Sequence, residues 1–131
     1  MIQQVSAGII KLDNHLLISK RQKHQLMDGY WELPGGKCEK KELPIEALER
    51  EINEEVGIQI RQASLAYSIG HHYPHGFIQL HVFNILRFTQ TPRGNEGQLI
   101  HWQPIASINQ PPFTMLPAGL KQLKMALMAA S

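Results

Sequence analysis

Between Pro44 and Val56 the apolar residues recur at helical steps. Ile45, Leu48, Ile52 and Val56 fall three or four apart and make a single stripe. Pro44 suits the first helical turn, and Gly57 the position where a helix stops. Leu43 stands where a Ser, Thr or Asp would ordinarily accept a backbone N–H, so the predicted helix starts without a side-chain cap. Other apolar segments are short and rich in β-formers. QVSAGIIK, residues 4–11, and HLLISK, residues 15–20, predict two strands joined by a turn at Leu12-Asp13-Asn14. Residues 61–73 and 77–89 predict a long hairpin around Pro74-His75-Gly76. LIHWQPI predicts one more strand, and LPAGLKQLKMALMAA a closing helix from about Pro117 to Ala130. The polar stretch 21–30, YWELPGG, TPRGNEGQ and Pro111-Pro112 read as loops. The order β-β-loop-α-β-β-β-α predicts an α/β fold with a mixed sheet packed between helices.

Length and charge sharpen this picture. A chain of 131 residues with 43% hydrophobic and 18% charged residues predicts one domain, 1–131, with a core of its own. No apolar run reaches the length of a membrane span, and no export signal precedes the first strand. Cys38 is the single cysteine, which excludes an internal disulfide and fits a reducing compartment, the cytoplasm. The net charge of +2 conceals an asymmetry: seven of the eleven acidic residues lie within 36–57. The basic residues are scattered, so a groove for polymeric nucleic acid is not indicated.

Glu51, Glu54 and Glu55 stand at i, i+3 and i+4, on the same side of the predicted helix and offset from its apolar stripe. Carboxylates so spaced repel one another in water. Either the face is solvated, or a hard cation such as Mg²⁺ sits against it, bound through oxygen and shared with substrate phosphates. Glu46, four residues before Arg50, is placed to pair with it.

The neighbours of these glutamates carry a resemblance. Gly36, Glu42, Arg50-Glu51-Ile52, Glu54-Glu55, Gly57 and Ile58 stand at the intervals of the Nudix box, and all nine defined positions match. Chance would produce such a match about once in ten million chains of this length. QVSAGII, LLISKR, WELPGGK and RGNEGQLIHW extend the likeness to the MutT-like branch of the Nudix hydrolases. The resemblance implies an α/β/α sandwich with the catalytic loop-helix-loop at 36–58. It implies a Mg²⁺-dependent hydrolase, with Mn²⁺ as a substitute, that splits a nucleoside triphosphate into monophosphate and pyrophosphate.

Glu51, Glu54 and Glu55 match metal-binding glutamates, the carbonyl of Gly35 a backbone ligand, and Glu96 a loop carboxylate at the metal. Arg50 and Glu42 match supporting positions. Glu51 or Glu54 is the expected general base, with Glu96 as competitor. Arg21, Lys37, Leu33, Ile78 and Gly119 are the candidate substrate contacts. Two departures bear on the base. Gly119 stands where MutT-like enzymes use an Asn to read oxidised guanine, and Leu33 replaces an aromatic. Oxidised dGTP (8-oxo-dGTP) leads by overall similarity, and a cytosine or other (d)NTP or another nucleoside diphosphate derivative competes. A Nudix-fold sensor that binds a nucleotide without turnover is the alternative from another class. No membrane or nucleic-acid partner is expected, and the chain is expected to be a monomer or weak dimer. His71, His72 and His75 match no zinc pattern, and Trp31, Trp102 and Phe113 suit core packing.

Overall fold

The computed structural model describes residues 2–129. Eight strands run in chain order: β1 (Ile2–Ile9), β2 (Lys11–Leu12), β3 (His15–Lys20), β4 (Trp31–Glu32), β5 (Gly35–Lys37), β6 (Gln59–Tyr73), β7 (Gly76–Thr89) and β8 (Ile100–Pro104). Helix α1 is Pro44–Val56 and helix α2 Leu120–Ala129. The mixed sheet has the order β5-β1-β7-β6, with β1 and β7 parallel and the outer pairs antiparallel. A second, antiparallel sheet forms around β3. There β8 pairs with His15–Ser19, and β2 and β4 share the opposite edge. Thus the layered sandwich is present, with two sheets where the sequence predicted one. None of the described helices is long and apolar enough to cross a membrane.

Each helix closes one apolar cluster. Leu48, Ile52 and Val56 of α1 are fully buried with Ile10, Leu17, Phe83 and Ile85. Burying a side chain of that size contributes about 1.5–3 kcal/mol, so this stripe fixes how α1 is rotated. Leu123 and Leu127 of α2 pack with Ala7, Ile9, Ile18, Trp31 and Val82. Alternation along β1 explains the division: Ala7 and Ile9 join the α2 cluster, while Ser6 turns to α1 and donates its hydroxyl to Pro44 O at 2.7 Å.

Three local expectations change. WELPGG is no plain loop: Trp31–Glu32 pairs with Ser19–Lys20, and Gly35–Lys37 with Val5–Ala7. Strands this short owe their existence to distant partners, which leave no local period to read. The closing helix begins at Leu120 because Gly119 has φ +75°, outside the helical region. Ala130 lies outside the described residues. Glu46 does not pair with Arg50. Its Oε1 accepts the Leu43 N–H at 2.8 Å, the half of a capping box that a leucine at the cap still permits.

Candidate active site

The edge strand β5 lies against α1, and its glycines allow the contact. A Cβ on Gly36 would overlap the Glu51 carboxylate, and one on Gly35 would overlap Ser6 O of β1. The Gly35 N–H donates to Glu55 Oε2 at 3.1 Å. Pro-Gly-Gly therefore brings backbone, without side chain, to two of the box glutamates.

Arg50 organises the outer part of this face. Its Nε and Nη2 donate to the two oxygens of Glu42 at 2.8 and 2.9 Å, and its Nη1 to Glu51 Oε1 at 2.8 Å. Nη2 also reaches Lys37 O at 3.0 Å, and Glu39 and Glu54 lie at 3.4 and 3.5 Å. The bidentate bond from Arg50, with the Glu39 N–H, holds Glu42 down at about 2, and Glu42 with Glu51 raises the Arg50 pKa. Glu42 lies in the loop before α1, so the clamp ties loop to helix.

A second acidic group lies deeper. Burial pushes Glu55 up to about 7, and the charges of Glu32 and Glu96 push the same way. The Gly35 N–H and the Ser19 hydroxyl act against the rise. Glu32 is itself raised by burial, against the pull of Arg21, whose Nη1 donates to it at 2.8 Å. Glu96 arrives on the loop between β7 and β8. That loop is bound to the last carbonyls of α1, which no helical N–H can reach. The N–H groups of Arg93 and Asn95 donate to Val56 O and Glu55 O, both at 3.0 Å, and Asn95 Nδ2 donates to Glu54 O at 3.1 Å. The Arg93 guanidinium lies 3.0 Å from the point where a Cβ on Gly57 would stand. Gly57, at φ +71°, thus both ends the helix and seats a cation at its negative pole.

Glu51, Glu54 and Glu55 share a helix face but not a ready cage. Among the described residues no three His, Cys, Asp or Glu side chains gather to hold a metal ion. Glu51 and Glu54 share Arg50, while Glu55 turns inward to Gly35, so the like charges divide between two partners. The donors are nonetheless hard oxygens, crowded by like charge and half exposed at Glu54, which suits a hard divalent cation.

The candidate substrate contacts divide. Leu33 packs on the α2-side cluster. Gly119 faces Ile69 and Leu80, at 3.7 and 3.9 Å from where its Cβ would be. Ile78 lies two residues before Leu80 on β7, and Lys37 pairs with Val5, which places both on this same sheet face. Arg21 is apart, bonded to Glu32 and, through Nε, to Leu26 O. Trp31 is buried, while Phe113 stacks on His101 at 3.8 Å. His71 and His75 flank Tyr73, and His72 meets Phe77. Sequence reasoning missed Glu32. Only its place before the Pro-Gly-Gly turn hinted at it, because its meeting with Glu55 depends on β4 pairing with β3.

Comparison with known proteins gives consistent matches. A family model described as NUDIX domain matches residues 5–123. The 8-oxo-dGTP diphosphatase of Escherichia coli K12 is 34% identical over 111 residues, 84% of this chain and 86% of that protein. The CTP pyrophosphohydrolase of the same organism is 32% identical over 127 residues, 97% and 94% of the two. The crystal structure of a MutT NUDIX hydrolase from Burkholderia pseudomallei superposes with a TM-score of 0.83 at 25% identity, covering 100% of this chain and 99% of that one.

Proposed function

This chain belongs to the NUDIX domain family and is a Nudix hydrolase, and from that premise we propose that it is a Mg²⁺-dependent nucleoside triphosphate pyrophosphohydrolase. It takes a (d)NTP and water to the monophosphate and pyrophosphate. Family membership and the relatives' names favour this enzyme over a nucleotide sensor. The observation that carries the proposal is the approach of half-buried Glu32 and exposed Glu96 to half-buried Glu55, beside Glu51 and Glu54 on the same helix.

Glu51, Glu54, Glu55 and Glu96, with the Gly35 carbonyl, are the groups that would hold Mg²⁺, or Mn²⁺ in its place. When bound, the ion neutralises charge along the phosphate chain and makes a nearby water more acidic. The chain's own part is to hold the carboxylates and accept a proton. Arg50 fixes the Glu51 side chain through the bond at 2.8 Å. Of Glu51, Glu54 and Glu55, Glu54 is the most exposed and meets Arg50 no nearer than 3.5 Å, and we assign it the role of general base. Lys37 is placed to meet phosphate, and Leu33, Ile78 and Gly119 form an apolar face for the base. The setting is the cytoplasm, where the Cys38 thiol stays reduced.

Two bases are in contention. By overall similarity 8-oxo-dGTP leads. A cytosine nucleotide is favoured by Gly119, which offers no side chain to a purine edge and looks onto apolar Ile69 and Leu80. Pyrophosphate release with Mg²⁺, measured over the common NTPs and dNTPs plus 8-oxo-dGTP and 5-methyl-dCTP, separates them. One substrate should be turned over far faster than the rest, and Glu54→Gln should lower its kcat by about 10²- to 10⁴-fold. No turnover of any substrate, or full turnover in the variant, would refute the assignment.

A further inference from the structure

Gln98 is one of the few polar side chains buried in this molecule, at 8% exposure, and both ends of its carboxamide are engaged. Oε1 accepts the Glu96 N–H at 3.0 Å, and Nε2 donates to Glu55 O at 2.8 Å. A single side chain thus bridges the backbones of two residues whose carboxylates repel each other. Glu96 occupies the third position of a tight turn closed by the Gly97 N–H on Gly94 O at 3.1 Å. Gly94 admits this turn, since a Cβ there would overlap Gln98 O. On the other side, Leu99 O accepts the Lys20 N–H at 2.9 Å, which anchors the residue after Gln98 to the β3 sheet. Gln98 therefore sits at the last fixed point before the turn, with its carboxamide reaching back to hold the turn on the helix.

We infer that Gln98 is the positioning residue that holds the Glu96 turn on the α1 C-terminus, and that Asn95, through its bond to Glu54 O, is the second side-chain fastening beside the backbone bonds of Arg93 and Asn95. The inference rests on the proposed role of Glu96 at the metal. The Glu96 charge acts against ionisation of Glu55, and the two carboxamides hold the turn on the helix at the backbone, leaving both carboxylates free of the fastening itself. A methionine at 98 keeps the length and loses both bonds. The turn then keeps the bonds of Arg93 and Asn95 to α1 and that of Gln22 Nε2 to Glu96 O, but loses the side chain that ties the Glu96 N–H to the helix.

The test is a double-mutant cycle on the full chain with Gln98→Met, Glu96→Gln and the pair combined. The measurements are kcat and KM for the preferred nucleotide, Mn²⁺ affinity by paramagnetic resonance of free Mn²⁺, and thermal midpoint. Gln98→Met should lower both kcat and Mn²⁺ affinity by about 10- to 100-fold, as loss of a group that orients a metal ligand does. KM should stay within about twofold of wild type, as for a loss felt in the transition state. The double variant should be no worse than Glu96→Gln alone, since Gln98 acts through Glu96. Multiplying losses, or a lower thermal midpoint with kcat and Mn²⁺ affinity unchanged, would overturn the inference and leave Gln98 a purely structural residue. If Glu96→Gln itself matches wild type in turnover and Mn²⁺ affinity, the proposed role of Glu96 fails, and this inference fails with it. Should Gln98→Met not fold, the exposed Asn95→Ala takes its place in the cycle. A loss in kcat that does not add to that of Glu96→Gln supports the inference, and an unchanged kcat overturns it.

Discussion

Replacing Arg50 with methionine should lower stability at neutral pH by about 2–3 kcal/mol, less than the loss when a fully buried ion pair is broken on one side. The discount reflects a side chain that is still 26% exposed, so water screens part of the loss. Without the guanidinium, Glu42 and Glu51 lose their bonds at 2.8–2.9 Å, and Glu39 and Glu54 become uncompensated neighbours. Arg50→Lys should not rescue, because an ammonium cannot serve two oxygens of Glu42 and one of Glu51 from a rigid fork. Acid titration gives the sign. Glu42 sits at about 2 in the fold against an ordinary 4.5, so its contribution is present above pH 4.5 and is lost as pH falls toward 2. Urea unfolding from pH 7 to pH 2 should show that decline in wild type and a flatter course in Arg50→Met. The variant's kcat should also fall about 10- to 100-fold, since Glu51 loses the group that orients it. A variant as stable and active as wild type would remove Arg50 from the organisation of the site.

Glu55→Gln should separate activity from stability. Its carboxyl sits at about 7 in the fold against an ordinary 4.5, so the folded chain keeps that proton to higher pH than the unfolded one. Stability is therefore lost as pH rises from 4.5 to 7, and above pH 7 the deficit reaches about 3 kcal/mol at most. Glutamine retains an oxygen for the Gly35 N–H and carries no charge. The variant should then be more stable than wild type at pH 8 and nearly equal to it at pH 4, by thermal or urea unfolding. Its kcat should drop about a hundredfold or more, at least as much as losing a group behind a metal ligand. Lower stability at pH 8 would show that burial does not disfavour the ionised Glu55 carboxylate.

How much of this could be read in the chain depends on how local each feature is. Helix α1 was legible to the residue because Ile45, Leu48, Ile52 and Val56 carry the helical period between a proline and a glycine. The β6–β7 hairpin was legible because two long apolar segments flank Pro74-His75. Strands β4 and β5 were not, since two or three residues have no period and take their geometry from β3 and β1. At the site, the box spacing picked out Glu51, Glu54 and Glu55, and the likeness of RGNEGQLIHW added Glu96, but neither showed how the side chains divide. Helical spacing pointed Glu46 at Arg50, yet the loop before α1 offers Glu42 in a bidentate approach that an i,i+4 pair cannot match. Glu32 and Gln98 lie within WELPGGK and RGNEGQLIHW, but nothing local in those segments marks the part each plays. Each matters through a residue far away in sequence, Glu55 in both cases.

The crowding of carboxylates on α1 is explained here by a divalent cation and a polyphosphate that complete the site. Calorimetry of Mg²⁺ uptake in the presence of a non-hydrolysable nucleoside triphosphate tests this most directly, comparing wild type with a variant carrying Gln at 51, 54 and 55. Wild type should take up Mg²⁺ with the nucleotide, and the variant should take up almost none. Equal uptake by the two proteins would contradict the assignment of these glutamates to the metal.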